Sequence, residues 1–383
     1  MRLLAMSDEI ASPISEIRLR TPLKALAAQL GWQIVLRSFY DCRPSDLAAA
    51  EVVIVQRGSS RRSVRLQERA LAAGATVVYE IDDLLTEIAP HLSQHDAVRL
   101  RLPWLRRSLA QADLVTASTV RLQREMEPLA RAVSVVPNYA FADGAELPLP
   151  PQRPDQPVHL LVASSDRLLE GDFVAALRDV VGEGARLVVV GPPAEDLARL
   201  GLPLEGHPLL PRRDFVALAR ALPNAVAVIP LEASRFAACK SAVKWFDYAE
   251  AGVPTIASAV PPYVDAIEHG TSGALVGNDK GQWLQALRTA IDDAEWRRCV
   301  AARARVVVRE RHTLGQAVTA WHAALLRARQ LHHARGVPAP QGPDAWWLAA
   351  CDAAGELGVT LRQWNRARRA RRRAPGPSDR PRG

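Results

Sequence analysis

Lys240, Lys244 and Asp247 stand at i, i+4 and i+7 in the segment KSAVKWFDYAEAGVPTIAS, so a helix over it would place all three on one face. Two cations and a carboxylate near a helix start, with the Ser241 hydroxyl beside them, suit a ligand carrying a diphosphate and a ribose. The same spacing also fits an ordinary solvated Lys/Asp face. Gly252 is placed to end the helix in a left-handed turn, Pro254 stops it continuing, and 255–258 reads as a strand. A second candidate is Ser164-Ser165-Asp166-Arg167, which follows a predicted strand. A small-residue loop between strand and helix exposes backbone N–H groups and can receive a phosphate, with Arg167 as its cation; the alternative is a surface arginine in a turn.

Glu80-Ile81-Asp82-Asp83 ends another predicted strand. Three acids at the edge of a parallel sheet are unfavourable unless solvated, paired or used. Asp82, with Glu80, is the candidate to orient or deprotonate a hydroxyl, although an Asp before Leu84-Leu85 fits a helix cap equally well. Arg57, after the strand at 52–55, and Arg18, ahead of Thr21-Pro22, are candidates for an acceptor-side surface together with Asp83. His91 and His95 have a zinc-compatible i, i+4 spacing but no third ligand of suitable type, so no metal is expected. No GxxxxGK[ST], GxGxxG or GxSxG motif is present.

The elements that must position these residues alternate. Strands are predicted at 33–36, 52–55, 76–79, 114–117 and 133–136, after an apolar run at 2–6 and a helix over 22–30. Residues 147–157, LPLPPQRPDQP, form a linker whose prolines prevent both helix and ladder. The alternation restarts with strands at 159–163, 187–190, 225–229, 255–258 and 274–276, interleaved with helices over 172–181 and 213–222, and helices follow over 280–291, 294–311 and 314–330. The expectation is an α/β chain of two doubly wound Rossmann-like domains facing a cleft, plus a basic C-terminal tail. Residues 1–147 form the first, 148–157 the linker, 158–333 the second with closing helices, and 334–383 the extension, whose arginine-dense end reads as disordered.

A chain of 383 residues with 48% hydrophobic and 23% charged residues has the composition of a soluble globular protein with two cores. The net charge of +8 sits in the tail: from Arg362 onward there are nine arginines against Asp379. The rest is formally neutral, so composition implies no basic face and no specific nucleic-acid partner. The tail is a candidate for peripheral contact with an anionic membrane. Four scattered cysteines without a CxxC pair, and no secretory signal at 1–10, point to the cytoplasm. No apolar run approaches the roughly eighteen residues that a membrane span needs.

The order of the 240–258 block resembles the donor-binding segment of glycosyltransferase family 4, and the resemblance covers most of residues 1–325. In that family a Glu-x7-Glu pair precedes a Gly-x-Pro turn. Asp247 matches the second acidic position and Ala251-Gly252-Val253-Pro254 the turn, whereas Cys239 stands at the first acidic position. Arg167-Leu168 and Gly171 match a Gly-Arg-Leu…Lys-Gly segment in which Glu170 replaces the lysine, leaving Lys240 to supply that charge. Asp82 falls at or beside a position where the family often has histidine, and Arg18 matches an Arg-x-x-x-Pro pattern. Ser118-Thr119 and Pro137-Asn138-Tyr139 resemble the family's closing strand motifs. The resemblance implies the GT-B fold and a retaining, metal-independent glycosyltransferase without a cofactor, active in polysaccharide biosynthesis. Its substrates would be a nucleotide-sugar and a glycan or lipid-linked acceptor, with Ser164, Ser165, Arg167, Lys240, Ser241, Lys244 and Asp247 on the donor. The Asp-x-Asp likeness of Glu80-x-Asp82 belongs with the other large glycosyltransferase fold. A nucleotide-sugar epimerase of the same fold and a non-catalytic nucleotide-sugar-binding protein are the rival readings.

Overall fold

The computed structural model describes residues 1–336 except 89–91, 93–94, 142–147, 151, 165–170 and 183. The candidates His91, Ser165 and Arg167 and the arginine-rich tail lie outside the described residues, as does part of the linker. Among the described residues no helix is long and apolar enough to cross a membrane.

Two six-stranded sheets organise the chain. The first holds β1 (Arg2–Ser7), β2 (Gln33–Ser38), β3 (Val52–Gln56), β4 (Thr76–Ile81), β5 (Leu114–Ala117) and β6 (Val133–Val135), in the order β2-β1-β3-β4-β5-β6. The second holds β7 (Val158–Ala163), β8 (Ala185–Val190), β9 (Leu204–His207), β10 (Ala225–Ile229), β11 (Thr255–Ser258) and β12 (Ala274–Val276), in the order β12-β11-β10-β7-β8-β9. Every pairing is parallel. The central strands are apolar runs, VVIVQ in β3 and AVAVI in β10, buried along their whole length. Such runs suit strands covered by helices on both faces. The sequence reading placed this alternation correctly but missed β9 and ended β4 at residue 79 rather than 81.

Strand order reverses between β1 and β3 in the first sheet and between β7 and β10 in the second. A crevice opens beyond the carboxyl ends of strands at such a point, because the connections leave to opposite faces. Chain crossings tie the halves together. Asn224 donates to the carbonyls of Arg153 and Gln156, at 2.7 and 2.9 Å, and accepts from Arg153 N–H at 2.7 Å, anchoring the end of the linker on the second half. The last described helix, Leu314–Arg335, was expected among the closing helices of the second unit. It packs instead on the first sheet, burying Trp321, Leu325 and Ala328 against Leu23 and Leu26, while Trp321 Nε1 donates to the Arg18 carbonyl at 3.1 Å.

Charge is segregated in a way composition concealed. The packed helices Arg61–Ala72 and His95–Gln111 together carry eight arginines against Glu68 and Asp96. The latter helix begins at His95, whose Nδ1 lies 3.0 Å from Asp96 Oδ1. Among the described residues no group of three His, Cys, Asp or Glu is arranged to hold a metal ion.

His312, at the turn into the last helix, stacks on Phe246 with ring centroids 4.0 Å apart. Burial, with the charge of Arg311 adding to it, holds its pKa down from 6.5 to about 4. Neutral His312 therefore supports the fold fully above pH 6.5, and that contribution is lost as pH falls toward 4. The melting temperature is expected to decline across this window, and to decline less in His312→Asn. Equal slopes in the two proteins would assign the pH dependence to other groups.

Candidate functional site

The two reversal points face a shared cavity of about 270 Å³, lined from both halves. The second half contributes Ser164 beyond β7, Ile229–Glu232 at the end of β10, and Lys240, Ser241 and Lys244 on the approach to a helix. That helix is Val243–Ala251; it ends at Gly252 in the left-handed region, φ 77°, as expected, and has no side-chain cap at its start. Its first residue, Val243, lines the cavity, so the positive end of the helix dipole lies at the ligand space.

Lys240 is not on that helix. A short helical turn, Arg235–Ala238, ends before it, so the i, i+4, i+7 face does not form across Lys240. Lys240 still reaches the cavity. Its Nζ lies 4.4 Å from the Phe236 ring centroid and 3.4 Å from Asp83 Oδ1 on the opposite half. Lys244 lines the cavity from the first turn of the helix.

Asp247, expected to meet a ribose, faces elsewhere. Arg212 Nε donates to both of its oxygens at 2.9 Å, and the Arg212 guanidinium also donates to the Tyr139 carbonyl at 2.5 Å. The side chains of Arg212 and Asp247 are 6% and 9% exposed, and neither lines the cavity. Asp247 therefore anchors the inter-half crossing at Tyr139. Cys239, at the other family acidic position, is buried with Phe236 in the core of the first half. Burial raises its thiol pKa to about 11, so it stays neutral near pH 7, and its carbonyl accepts from Thr119 Oγ1 at 2.9 Å.

On the first half the acids divide. Glu80 is register partner to Gln56 within the sheet and is fully buried. Its carboxylate accepts from Arg18 Nε at 2.7 Å and Gln56 Nε2 at 2.8 Å. Burial raises its pKa, with the Arg18 charge opposing. Glu80 does not line the cavity, and its burial in the sheet argues for a structural role instead of the catalytic one that the sequence suggested. Arg18 sits on a π-helical turn, Glu16–Arg20, where its Nη1 also donates to Val136 O at 2.6 Å and Asn138 Oδ1 at 2.8 Å. It lines the cavity although only 2% exposed.

Asp82 and Asp83 lie past the end of β4 and do line the cavity. Arg57, in the left-handed region at φ 49°, grips both: Nε donates to Asp82, and Nη2 donates to Asp83 at 2.5 Å. Arg57, expected on the acceptor-side surface, thus holds both acids and does not itself line the cavity. Burial pushes the Asp83 carboxyl up, but Lys240 and Arg57 outweigh it and hold the pKa below the usual range.

Sequence reasoning missed Glu232, which lines the cavity two residues past Pro230; its position just beyond a central strand was the available signal. Asn138, matched in the sequence only to a closing strand motif, also lines the cavity, and its Nδ2 donates to Ser241 Oγ at 2.6 Å across the cleft. Further ties join the rims: Arg121 to Asp265 at 2.8 Å, and Arg235 to Glu125 and Glu87 at 2.5 and 2.8 Å. These contacts join the two halves around the cavity.

No protein-family model matches the sequence, and no curated protein matches it. Solved structures do match. HepE of Anabaena in complex with UDP-glucose is 15% identical with a TM-score of 0.59, over 85% of this chain and 99% of that one. Sucrose-phosphate synthase from Thermosynechococcus elongatus is 16% identical with a TM-score of 0.64, over 87% and 100%. The fold is GT-B. A Listeria monocytogenes protein assigned as a UDP-N-acetylglucosamine 2-epimerase also matches, at 14% identity and a TM-score of 0.52 over 89% and 98%. At these identities the likeness establishes the GT-B fold alone.

Proposed function

We propose that the protein transfers a glycosyl unit from a nucleotide-sugar to a hydroxyl of a glycan or lipid-linked acceptor, with retention at the anomeric carbon and without a metal or other cofactor. The carrying observation is the cavity itself. It places Lys240, Lys244 and an uncapped helix start on one half, opposite Asp82 and Asp83 on the other. As the sugar leaves, negative charge develops on the diphosphate, and fixed cations with helix N–H groups stabilise it where they are already oriented. Ser164 and Ser241 supply hydroxyls beside them. In this reading Arg167, carried by the family resemblance, adds a further cation to the diphosphate. Asp82 and Asp83 orient the acceptor hydroxyl, and closure of the halves excludes water, favouring transfer over hydrolysis. Metal independence is supported by the engagement of Glu80 and Asp82 with arginines, which leaves that pair poorly disposed to ligate a cation.

The likeness to an epimerase-assigned structure and the paired carboxylates favour one second reading, a nucleotide-sugar epimerase. A thermal-shift screen against UDP-, GDP-, ADP- and dTDP-sugars tests the first step. Ligand at about 100 times its Kd stabilises by about 2.7 kcal/mol, a readily measured rise in Tm. Transfer to an acceptor panel should then persist in EDTA. No shift with any donor overturns the reading, strict dependence on a divalent cation overturns the metal-free mechanism, and an isomerised sugar nucleotide formed without acceptor assigns the epimerase. Tight donor binding without turnover assigns a binding protein.

A further inference from the structure

The cavity holds a charge conflict. Three carboxylates, Asp82, Asp83 and Glu232, and three cations, Arg18, Lys240 and Lys244, line it. A diphosphate entering this set is held more tightly if a cation shifts toward it from a carboxylate. The Lys240–Asp83 pair is a loose one. At 3.4 Å it is long for a charge-assisted bond, and it joins opposite halves rather than neighbours in one sheet. The Lys240 stem is flexible, and its ammonium already lies 4.4 Å from the Phe236 ring centroid, a contact that uses none of its three N–H donors and can follow a small shift away from Asp83. Asp83 would not be stranded by its departure, because Arg57 Nη2 holds the other oxygen at 2.5 Å.

We propose that Lys240 is shared between Asp83 and the diphosphate of the bound nucleotide, so that the arriving donor takes the lysine and leaves Asp83 free to accept a hydrogen bond from the acceptor hydroxyl. The proposal rests on the donor site of the preceding reading and adds an order to it: donor first, acceptor second. The electrostatics run the same way. Lys240 is the foremost of the groups that hold the Asp83 carboxyl low against burial, so its withdrawal makes Asp83 a more basic, stronger acceptor. A static ion pair that merely closes the cleft would leave Lys240 on Asp83 whether or not a diphosphate is bound.

A double-mutant cycle distinguishes the two. Wild type, Asp83→Asn, Lys240→Met and the double variant are titrated by calorimetry with inorganic pyrophosphate and with UDP, GDP, ADP and dTDP at fixed salt. Circular dichroism melts establish that each is folded, and Lys240→Gln replaces Lys240→Met if the latter is not. Asp83→Asn is expected to bind the preferred diphosphate about tenfold more tightly than wild type, the equivalent of about 1.4 kcal/mol. That gain should vanish in the Lys240→Met background. Unchanged or weaker binding by Asp83→Asn overturns the proposal. So does an equal gain without Lys240, which would be general charge removal. If a nucleoside diphosphate binds wild type but the cycle shows no coupling, the sharing fails and the donor reading stands. If pyrophosphate shows the coupling while no nucleotide binds, the sharing stands and the nucleotide reading fails. If nothing binds, both fail.

Discussion

Replacing Glu80 with alanine is expected to lower unfolding stability by about 3–5 kcal/mol, the range for removing one member of a buried ion pair. The guanidinium of Arg18 is 2% exposed and Glu80 fully buried, so the truncation leaves a cation desolvated without its counter-charge. Gln56 Nε2 loses its acceptor as well. Arg18→Met added to Glu80→Ala should recover part of the loss, because a neutral apolar pair avoids the stranded charge. Urea melts of the two single variants and the double measure this directly, and a loss below about 1 kcal/mol would mean that water reaches the pair. Activity separates the structural role from the catalytic one suggested by sequence. Glu80→Gln should lose turnover only in proportion to its lost folded fraction. A fully folded Glu80→Gln that is a thousandfold slower, with an altered pH profile, would restore Glu80 to the chemistry.

Gly191→Ala should be nearly as damaging, at about 2–6 kcal/mol from backbone strain and overpacking together. Gly191 follows β8 with φ 103°, a conformation that L side chains rarely adopt. A Cβ there would stand 2.1 Å from the Ser164 carbonyl oxygen and 3.0 Å from Leu209 Cδ2. The first neighbour is backbone and cannot swing aside. Ser164 is tied to β8 through its N–H to Val190 O, at 3.1 Å, and it lines the cavity. The substitution should therefore displace the floor of the donor side, weakening nucleotide-sugar binding even in molecules that still fold. Melting and donor titration of the same variant test both parts. Wild-type affinity in a folded Gly191→Ala would show that Ser164 has no part in the donor site.

The helices Arg61–Ala72 and His95–Gln111 show the limit of counting charge along a chain. The sequence body is neutral in sum, yet these two helices, packed on one another, carry eight arginines against two acids.

Much of the scaffold is legible in the sequence. Runs such as VVIVQ and AVAVI are too short for helices and apolar on both alternations, so only strands buried on both faces accommodate them. Gly252 and Pro254 dictated where a helix must stop, because φ 77° suits glycine and proline cannot continue the helix. Which acidic and basic residues meet a ligand was decided only in three dimensions. Glu80 and Asp82 are alike in type and two residues apart. β4, however, runs to Ile81 rather than ending at 79, so Glu80 is inside the ladder beside Gln56 while Asp82 and Asp83 stand beyond its end. Asp247 was lost to Arg212, a partner 35 residues earlier in the chain that no local pattern announces. The helical spacing at Lys240 failed for a related reason. Phe236 and Cys239 are drawn into the core of the other half, and the chain breaks its helix to deliver them. Local spacing describes one element at a time, whereas burial and ion pairing are settled between elements distant in sequence.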